Sequence, residues 1–274
     1  MKPKTDLHPD TVCVHGTYDP FEHRGARSMP IYQSAAYCYE SADHAAALFS
    51  FEAEGNIYSR LGTPTTDEAE SRIALLEGGI GAVSFASGMA ALSSFILNFL
   101  KSGDVIASSS ALYGGSMGLL TDTLPALGIT TRFFDPLDTS SLERAMTDSV
   151  RLILAENLAN PALSIPDHAG IAAIARKWRV PYLVDNTLAT PLLCRPASHG
   201  ADFILHSATK YMMGHGDAIG GIIVDAGTFE FDRERYPLMF DAAPDGRSFV
   251  EAFGKKAFLT RLRGKALMNL GGCM

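Results

Sequence analysis

Two apolar runs end in residues that could hold an aldehyde cofactor. Phe203-Ile204-Leu205 leads into HSATKYMMGHGD (206–217), where Ser207, Ala208 and Thr209 directly precede Lys210. Asp185 lies upstream, at the end of the run VPYLV (180–184). A lysine amine can condense with an aldehyde. The hydroxyls of Ser207 and Thr209 suit phosphate oxygens, although such residues also cap turns. A buried strand-end carboxylate can pair with a protonated pyridine nitrogen, which makes the ring a better electron sink. Taken alone, Lys210 would be a solvated surface group and Asp185 a helix cap. Together they point to a pyridine aldehyde that carries a phosphate, namely pyridoxal 5'-phosphate.

Other segments supply the rest of such a site. SFASGMAA (84–91) has the order strand, tight turn, helix. Successive N–H groups of Ser87, Gly88 and Met89 there could cradle a phosphate at a positive helix end. The segment is neither a P-loop nor a dinucleotide fingerprint. Tyr113, in ALYGG, could stack on a ring and move protons, or simply pack in the core. Asn160-Pro161 could place an amide beside a phenolic oxygen, or form a plain turn. Arg60, near Tyr58 in NIYSR, is suited to a bidentate phosphate contact. His215 and Asp217 have no third ligand at a sensible spacing, so no metal site is expected.

These residues need a scaffold that brings strand ends together. Thr65 and Glu68 have capping-box spacing before a helix over 66–77, Glu68 and Arg72 can pair along it, and Gly78 ends it. Strands are expected at 82–85, 105–109, 129–134, 151–155, 181–185, 202–206 and 219–224. Helices are expected at 87–100, 115–127 and 167–178, with a short one after the Ser140/Glu143 pair. Strands alternating with helices indicate an α/β domain with a mostly parallel seven-stranded sheet and helices on both faces. Ligands of such folds sit at the carboxyl ends of the strands. Residues 1–60 form an irregular arm whose aromatics (Tyr18, Phe21, Tyr32, Tyr37, Tyr39) suit covering another surface. Residues 61–225 form the cofactor-binding domain. Residues 226–274 contain a long excursion and then a basic amphipathic helix at 255–268.

The chain has 274 residues, 47% of them apolar, and a formal charge of −7. That supports a folded core and gives no reason to expect nucleic acid or an anionic membrane as partner. Cys13, Cys38, Cys194 and Cys273 are far apart and form no CxxC, so a reducing cytoplasm is the simpler setting. The N-terminus has no apolar signal core, and no run is long enough to span a bilayer.

The motifs NIYSRLGTPTTDEAESRIALLEGG (56–79), FASGMAAL (85–92), LYGG (112–115), LVDNT (183–187) and HSATKYMMGHGD closely resemble the Cys/Met-metabolism family of pyridoxal-phosphate enzymes. The resemblance runs over essentially the whole chain. It implies the aspartate-aminotransferase-like (fold type I) architecture. It also implies that Lys210 holds the cofactor and shuttles protons, with Asp185 at the pyridine nitrogen and Tyr113 stacked on the ring as a candidate acid. Gly88, Met89, Ser207 and Thr209 would contact the phosphate, Asn160 would lie near the cofactor oxygen, and Tyr58 and Arg60 would reach the phosphate of a neighbouring subunit. The implied assembly is a homotetramer built as a dimer of dimers.

Two features narrow the resemblance. Gly115 stands where methionine gamma-lyases have a cysteine, and residues 224–267 resemble the insertion of O-acetylhomoserine sulfhydrylases. The implied reaction is γ-replacement on O-acetyl-L-homoserine by sulfide or a thiol, giving acetate and homocysteine or a related thioether. The alternatives are a gamma-lyase elimination and a truncated, catalytically inert cofactor-binding protein. Glu156-Asn157-Leu158 departs from the family's glutamate-serine/threonine-proline, and Gly62-Thr63-Pro64 from its Gly-Asn-Pro. The family also has a C-terminal domain carrying the arginine that binds the substrate carboxylate. That domain is expected to be absent from these 274 residues.

Overall fold

Seven short apolar runs become seven strands: β1 Gly81–Phe85, β2 Val105–Ser109, β3 Thr130–Phe134, β4 Val150–Glu156, β5 Tyr182–Asp185, β6 Phe203–His206 and β7 Gly221–Asp225. They form one sheet in the order β1-β7-β6-β5-β4-β2-β3. The pairings from β6 across to β3 are parallel, and β7 runs antiparallel to both β6 and β1. The computed structural model describes residues 7–272, so the first six residues, Cys273 and Met274 lie outside it.

Both faces of the sheet are covered, which is why its strands read as nearly unbroken apolar runs. Side chains alternate between the faces. Leu152, Leu154, Leu183, Phe203 and Leu205 enter one core with the helix Gly88–Phe99. Ile153, Ala155, Tyr182 and Val184 enter the other with the helices Thr139–Ala145 and His168–Trp178.

The ends of the helices follow local chemistry. Ser87 Oγ accepts the Ala90 N–H at 3.0 Å, and Asp167 accepts the Gly170 N–H at 3.0 Å, each capping the helix that follows. Two expected caps shift. The helix Pro64–Glu77 is capped by a Thr63/Thr66 box, because Pro64 is favoured at the first helical position and moves the start upstream. Thr65 instead donates to Pro30 O, while the Glu68–Arg72 pair forms at 2.6 Å. Asp138, and not Ser140, caps the helix Thr139–Ala145. The helix expected over 115–127 runs unbroken from Gly114 to Ala126, with π-type turns over Leu119–Thr123 between two short α segments. Pro125 lacks the N–H that a regular α ladder would use.

The segment 226–254, which reads as an excursion, returns to the core. Tyr236, Met239 and Phe249 are fully buried beside the helix Gly88–Phe99. Arg235 donates to the carbonyls of Trp178 and Val150 at 2.9 Å, and Arg261 ties Asp241 to Asn98. The basic amphipathic segment is helical over Ala257–Arg261 and continues in π-type turns to Leu270. Its Phe258 ring lies 4.4 Å from that of Phe203.

The first 60 residues contain two short helices, Pro9–His15 and Ala42–Phe49, joined by irregular chain. Their aromatics stack mostly on one another: the Tyr18 and His23 rings are 5.3 Å apart, and Phe21 is 88% exposed. No described helix is long and apolar enough to cross a membrane.

Candidate active site

The carboxyl ends of β4, β5 and β6 and the start of the helix Gly88–Phe99 open on one cleft of about 220 Å³. Its walls include Lys210, Asp185, Tyr113, Asn160, Ser207, Thr209 and the turn Ser87-Gly88-Met89. The sequence places these residues far apart, and the fold brings them together. Larger hollows lie elsewhere, but they contain none of these groups.

The phosphate end is built by close approach. A side chain on Gly88 would stand 2.7 Å from Ser207 Cβ and 3.0 Å from its Cα. One on Gly221 would stand 2.1 Å from the Ser87 carbonyl oxygen. Only glycine permits this contact of helix, lysine turn and β7. Ser87 Oγ uses the third N–H of the helix. The N–H groups of Gly88 and Met89 remain as the open donors of the first turn, next to Ser207. This geometry fits an anion of phosphate size. Thr209 lines the same cleft, and its hydroxyl donates to Gly220 O at 3.2 Å and accepts the Gly220 N–H at 3.1 Å. It clasps the loop that carries Lys210.

Lys210 is exposed in the turn after β6, and Asp185 is half-buried. Asp185 Oδ1 accepts both the N–H and the hydroxyl of Thr187, and Thr187 Oγ1 accepts the Ser207 N–H at 2.8 Å. A relay of hydrogen bonds therefore joins the lysine turn to the carboxylate. Burial pushes the Asp185 carboxyl above the ordinary range, while the Thr187 bonds and the His206 and Lys210 charges oppose the shift. A cation beside Asp185 would favour its ionised form, as a protonated pyridine requires.

Tyr113 is 48% exposed at the rim. Its ring lies over Gly115, where a Cβ would meet Cε1 at 2.5 Å. Any side chain at 115 would move the ring, which gives physical content to the glycine noted there. Asn160 is joined to Pro161 by a cis peptide. Tyr58 and Arg60 are not in the cleft of their own chain; the Arg60 guanidinium lies 5.0 Å over the Tyr58 ring. His215 binds Met213 O through Nδ1.

Sequence reasoning missed two residues as members of the site, Thr187 and Glu156. Glu156 Oε1 accepts the Tyr113 N–H at 2.5 Å, and Oε2 accepts the Asn160 N–H at 2.9 Å. Burial pushes its pKa up to about 7; the two N–H bonds oppose this and the Asp185 charge adds to it. Thr187 stood within the quoted LVDNT but nothing marked its hydroxyl.

Behind the cleft runs a buried polar chain. Glu77 pairs with His206 at 2.6 Å and accepts from Asn186 Nδ2. Asn186 Oδ1 accepts from Asn157, and His168 bridges Asn157 Oδ1 to the Tyr182 hydroxyl at 2.8 Å on each side. Burial lowers the His168 pKa to about 4, so the ring is neutral near pH 7. Nε2–H then donates to Asn157 and Nδ1 accepts from Tyr182. Asn157, the departure from the serine or threonine of the family pattern, thus uses both ends of its amide.

A mostly parallel seven-stranded sheet with its single reversed strand beside a strand-end lysine is the fold type I architecture of pyridoxal-phosphate enzymes. The profile of the Cys/Met metabolism PLP-dependent enzymes matches residues 10–255, and the chain belongs to that family. It is 40% identical over 276 aligned residues to an O-acetyl-L-homoserine sulfhydrylase from Leptospira meyeri, covering 97% of this chain and 62% of the relative. A crystal structure of an O-acetylhomoserine (thiol)-lyase from Campylobacter jejuni, which carries a pyridoxyl-lysine phosphate, superposes with a TM-score of 0.93 at 37% identity, over 98% of this chain and 68% of that one. Cystathionine gamma-lyase from Lactobacillus plantarum superposes with a TM-score of 0.79 at 29% identity, over 98% of this chain and 60% of that one. The chain spans about 62% of the length of the sulfhydrylase it matches.

Proposed function

We propose that this chain carries the cofactor-binding part of a pyridoxal-phosphate-dependent γ-replacement enzyme, which exchanges the acetate of O-acetyl-L-homoserine for sulfide or a thiol. The observation that carries the reading is the convergence of Lys210, Asp185, Tyr113 and the Gly88–Ser207 cradle on one cleft. The likeness to sulfhydrylases in sequence supports the choice of substrate.

When bound, the cofactor supplies an electron sink for carbanion chemistry. The residues of this chain would position it and move protons around it. The N–H groups of Gly88 and Met89 and the Ser207 hydroxyl hold the phosphate, and Thr209 keeps the loop in place. Lys210 would hold the cofactor, and its amine would move protons at the substrate's α and β carbons. Asp185 would pair with the pyridine nitrogen and Asn160 would lie at the phenolic oxygen. Tyr113 covers the ring and can pass a proton to the departing group. Tyr58 and Arg60 do not line the cleft of their own chain and would serve the phosphate of a second copy, in a dimer of dimers.

Purified protein with pyridoxal phosphate is expected to show a visible cofactor band that is lost in Lys210→Ala. With O-acetylhomoserine, homocysteine that forms only when sulfide is present supports γ-replacement. Ammonia and 2-oxobutyrate without sulfide would replace that reading with elimination. Absence of any cofactor band in the wild type would overturn the assignment of the cleft.

A further inference from the structure

Glu156 stands between two residues of the cleft that come from different loops. It closes β4 in register with Asp185 and is only 6% exposed. Each carboxylate oxygen is committed to one backbone donor, Oε1 to the Tyr113 N–H and Oε2 to the Asn160 N–H. One buried acid therefore ties the loop after β2 to the loop after β4, across 43 residues of sequence. Such bonds are stronger and shorter when the acceptor is charged.

Tyr113 depends on this tie. It immediately precedes the short helix Gly114–Gly118 and makes no side-chain cap bond. Gly114 and Gly115 give the following backbone wide freedom. Its half-exposed ring rests on Gly115, so the backbone beneath fixes where the ring lies over the cleft. A strand end that needed only to satisfy two N–H groups could use hydroxyls or water. A carboxylate in so buried a place is the costlier choice, and it brings two acceptor oxygens at a fixed spacing.

We propose that Glu156 is a positioning residue for the cofactor, setting Tyr113 and Asn160 in mutual register by holding both of their backbone N–H groups. The proposal rests on the pyridoxal-phosphate reading of the cleft. It assigns Glu156 no contact with the cofactor.

Glu156→Gln tests it. The amide keeps the size of the side chain but offers one oxygen, so its NH₂ confronts one of the two donors. In cofactor-free protein, hydrogen exchange of the peptide spanning 111–118 is expected to quicken about tenfold or more. The dissociation constant for pyridoxal phosphate is expected to rise about tenfold. The visible circular dichroism of the bound cofactor, which reports how the ring is held, is expected to fall. Far-UV circular dichroism checks the fold. If the glutamine variant does not fold, Glu156→Asp carries the same measurements, since its shorter carboxylate keeps the charge but cannot span both donors. Wild-type exchange at 111–118 overturns the clamp. Faster exchange with unchanged cofactor affinity and dichroism overturns the positioning role and leaves a plain strut. A wild type that takes up no pyridoxal phosphate defeats the reading of the cleft, and the exchange measurement, which needs no cofactor, still decides on the clamp.

Discussion

At the scale of single residues, the cleft depends as much on missing atoms as on present ones. Gly88 lets a helix start touch Ser207, and alanine there would place a Cβ within 3.0 Å of backbone that has no room to yield. Gly88→Ala is expected to weaken pyridoxal-phosphate binding by about tenfold or more, because overpacking costs of ~1–3 kcal/mol fall on the cradle itself. Titration of the cofactor band measures this, and unchanged affinity would show that the cradle does not hold the phosphate. The residues legible in the sequence are those whose task demands one residue type. An aldehyde needs an amine and a tight turn needs glycine, so Lys210 and Gly88 stood out. Glu156 and Thr187 did not, because a strand-end acid or hydroxyl looks like any cap until the fold shows its partner. For Glu156 that partner, Tyr113, lies on another strand's loop.

At the scale of elements, the helix Gly88–Phe99 links the cleft to the core. Its first turn faces the cradle, and its Phe95 packs on Phe203 and Phe258 at centroid distances of 5.1 and 5.3 Å. Phe258 comes from the last helical segment, so that segment and the cofactor turn share one packed layer. Phe258→Ala is expected to cost about 3–5 kcal/mol of global stability, read as a lower urea midpoint. A loss confined to the C-terminal segment, with the midpoint unchanged, would contradict the shared layer. Most strands and helices were legible because alternation and caps are local signals. The reversal of β7 and the return of 226–254 to the core were not, since each depends on distant partners such as Tyr236 against Phe99. The helix after Gly114 was legible, but the π-type turns inside it were not, because apolar spacing does not distinguish them.

At the scale of the whole molecule, buried titratable groups set how stability follows pH. Asp225 is 4% exposed, and burial pushes its pKa to about 7, opposed by the Gly227 N–H and aided by the Asp202 charge. The folded chain thus holds this proton where the unfolded chain has released it. The contribution is complete below the ordinary carboxylate range and is lost as pH rises toward 7. His168, lowered to about 4, works the other way: its contribution grows as pH rises from about 4 through the ordinary histidine range. Asp225→Asn keeps an oxygen for the Gly227 N–H and removes the ionisation. It is expected to be more stable than wild type at pH 8, by up to about 4 kcal/mol, and little changed at pH 4. Urea unfolding at the two pH values measures this, and equal offsets at both would refute the assignment. The reversed strand has a consequence of another kind. Because β7 starts where β6 ends, Thr209 and Gly220 meet and fasten the lysine loop like a buckle. Residues 211–219 between them form a closed ring with fixed ends, and Tyr211 and Ile219 on it are largely exposed. Met212 within the ring packs on the buried cluster of Ile204, Ile222 and Val224, so the ring is pinned from the inside as well as at its ends. The ring thereby carries Ile219 to the wall of the cleft at a distance from Lys210 that the buckle sets.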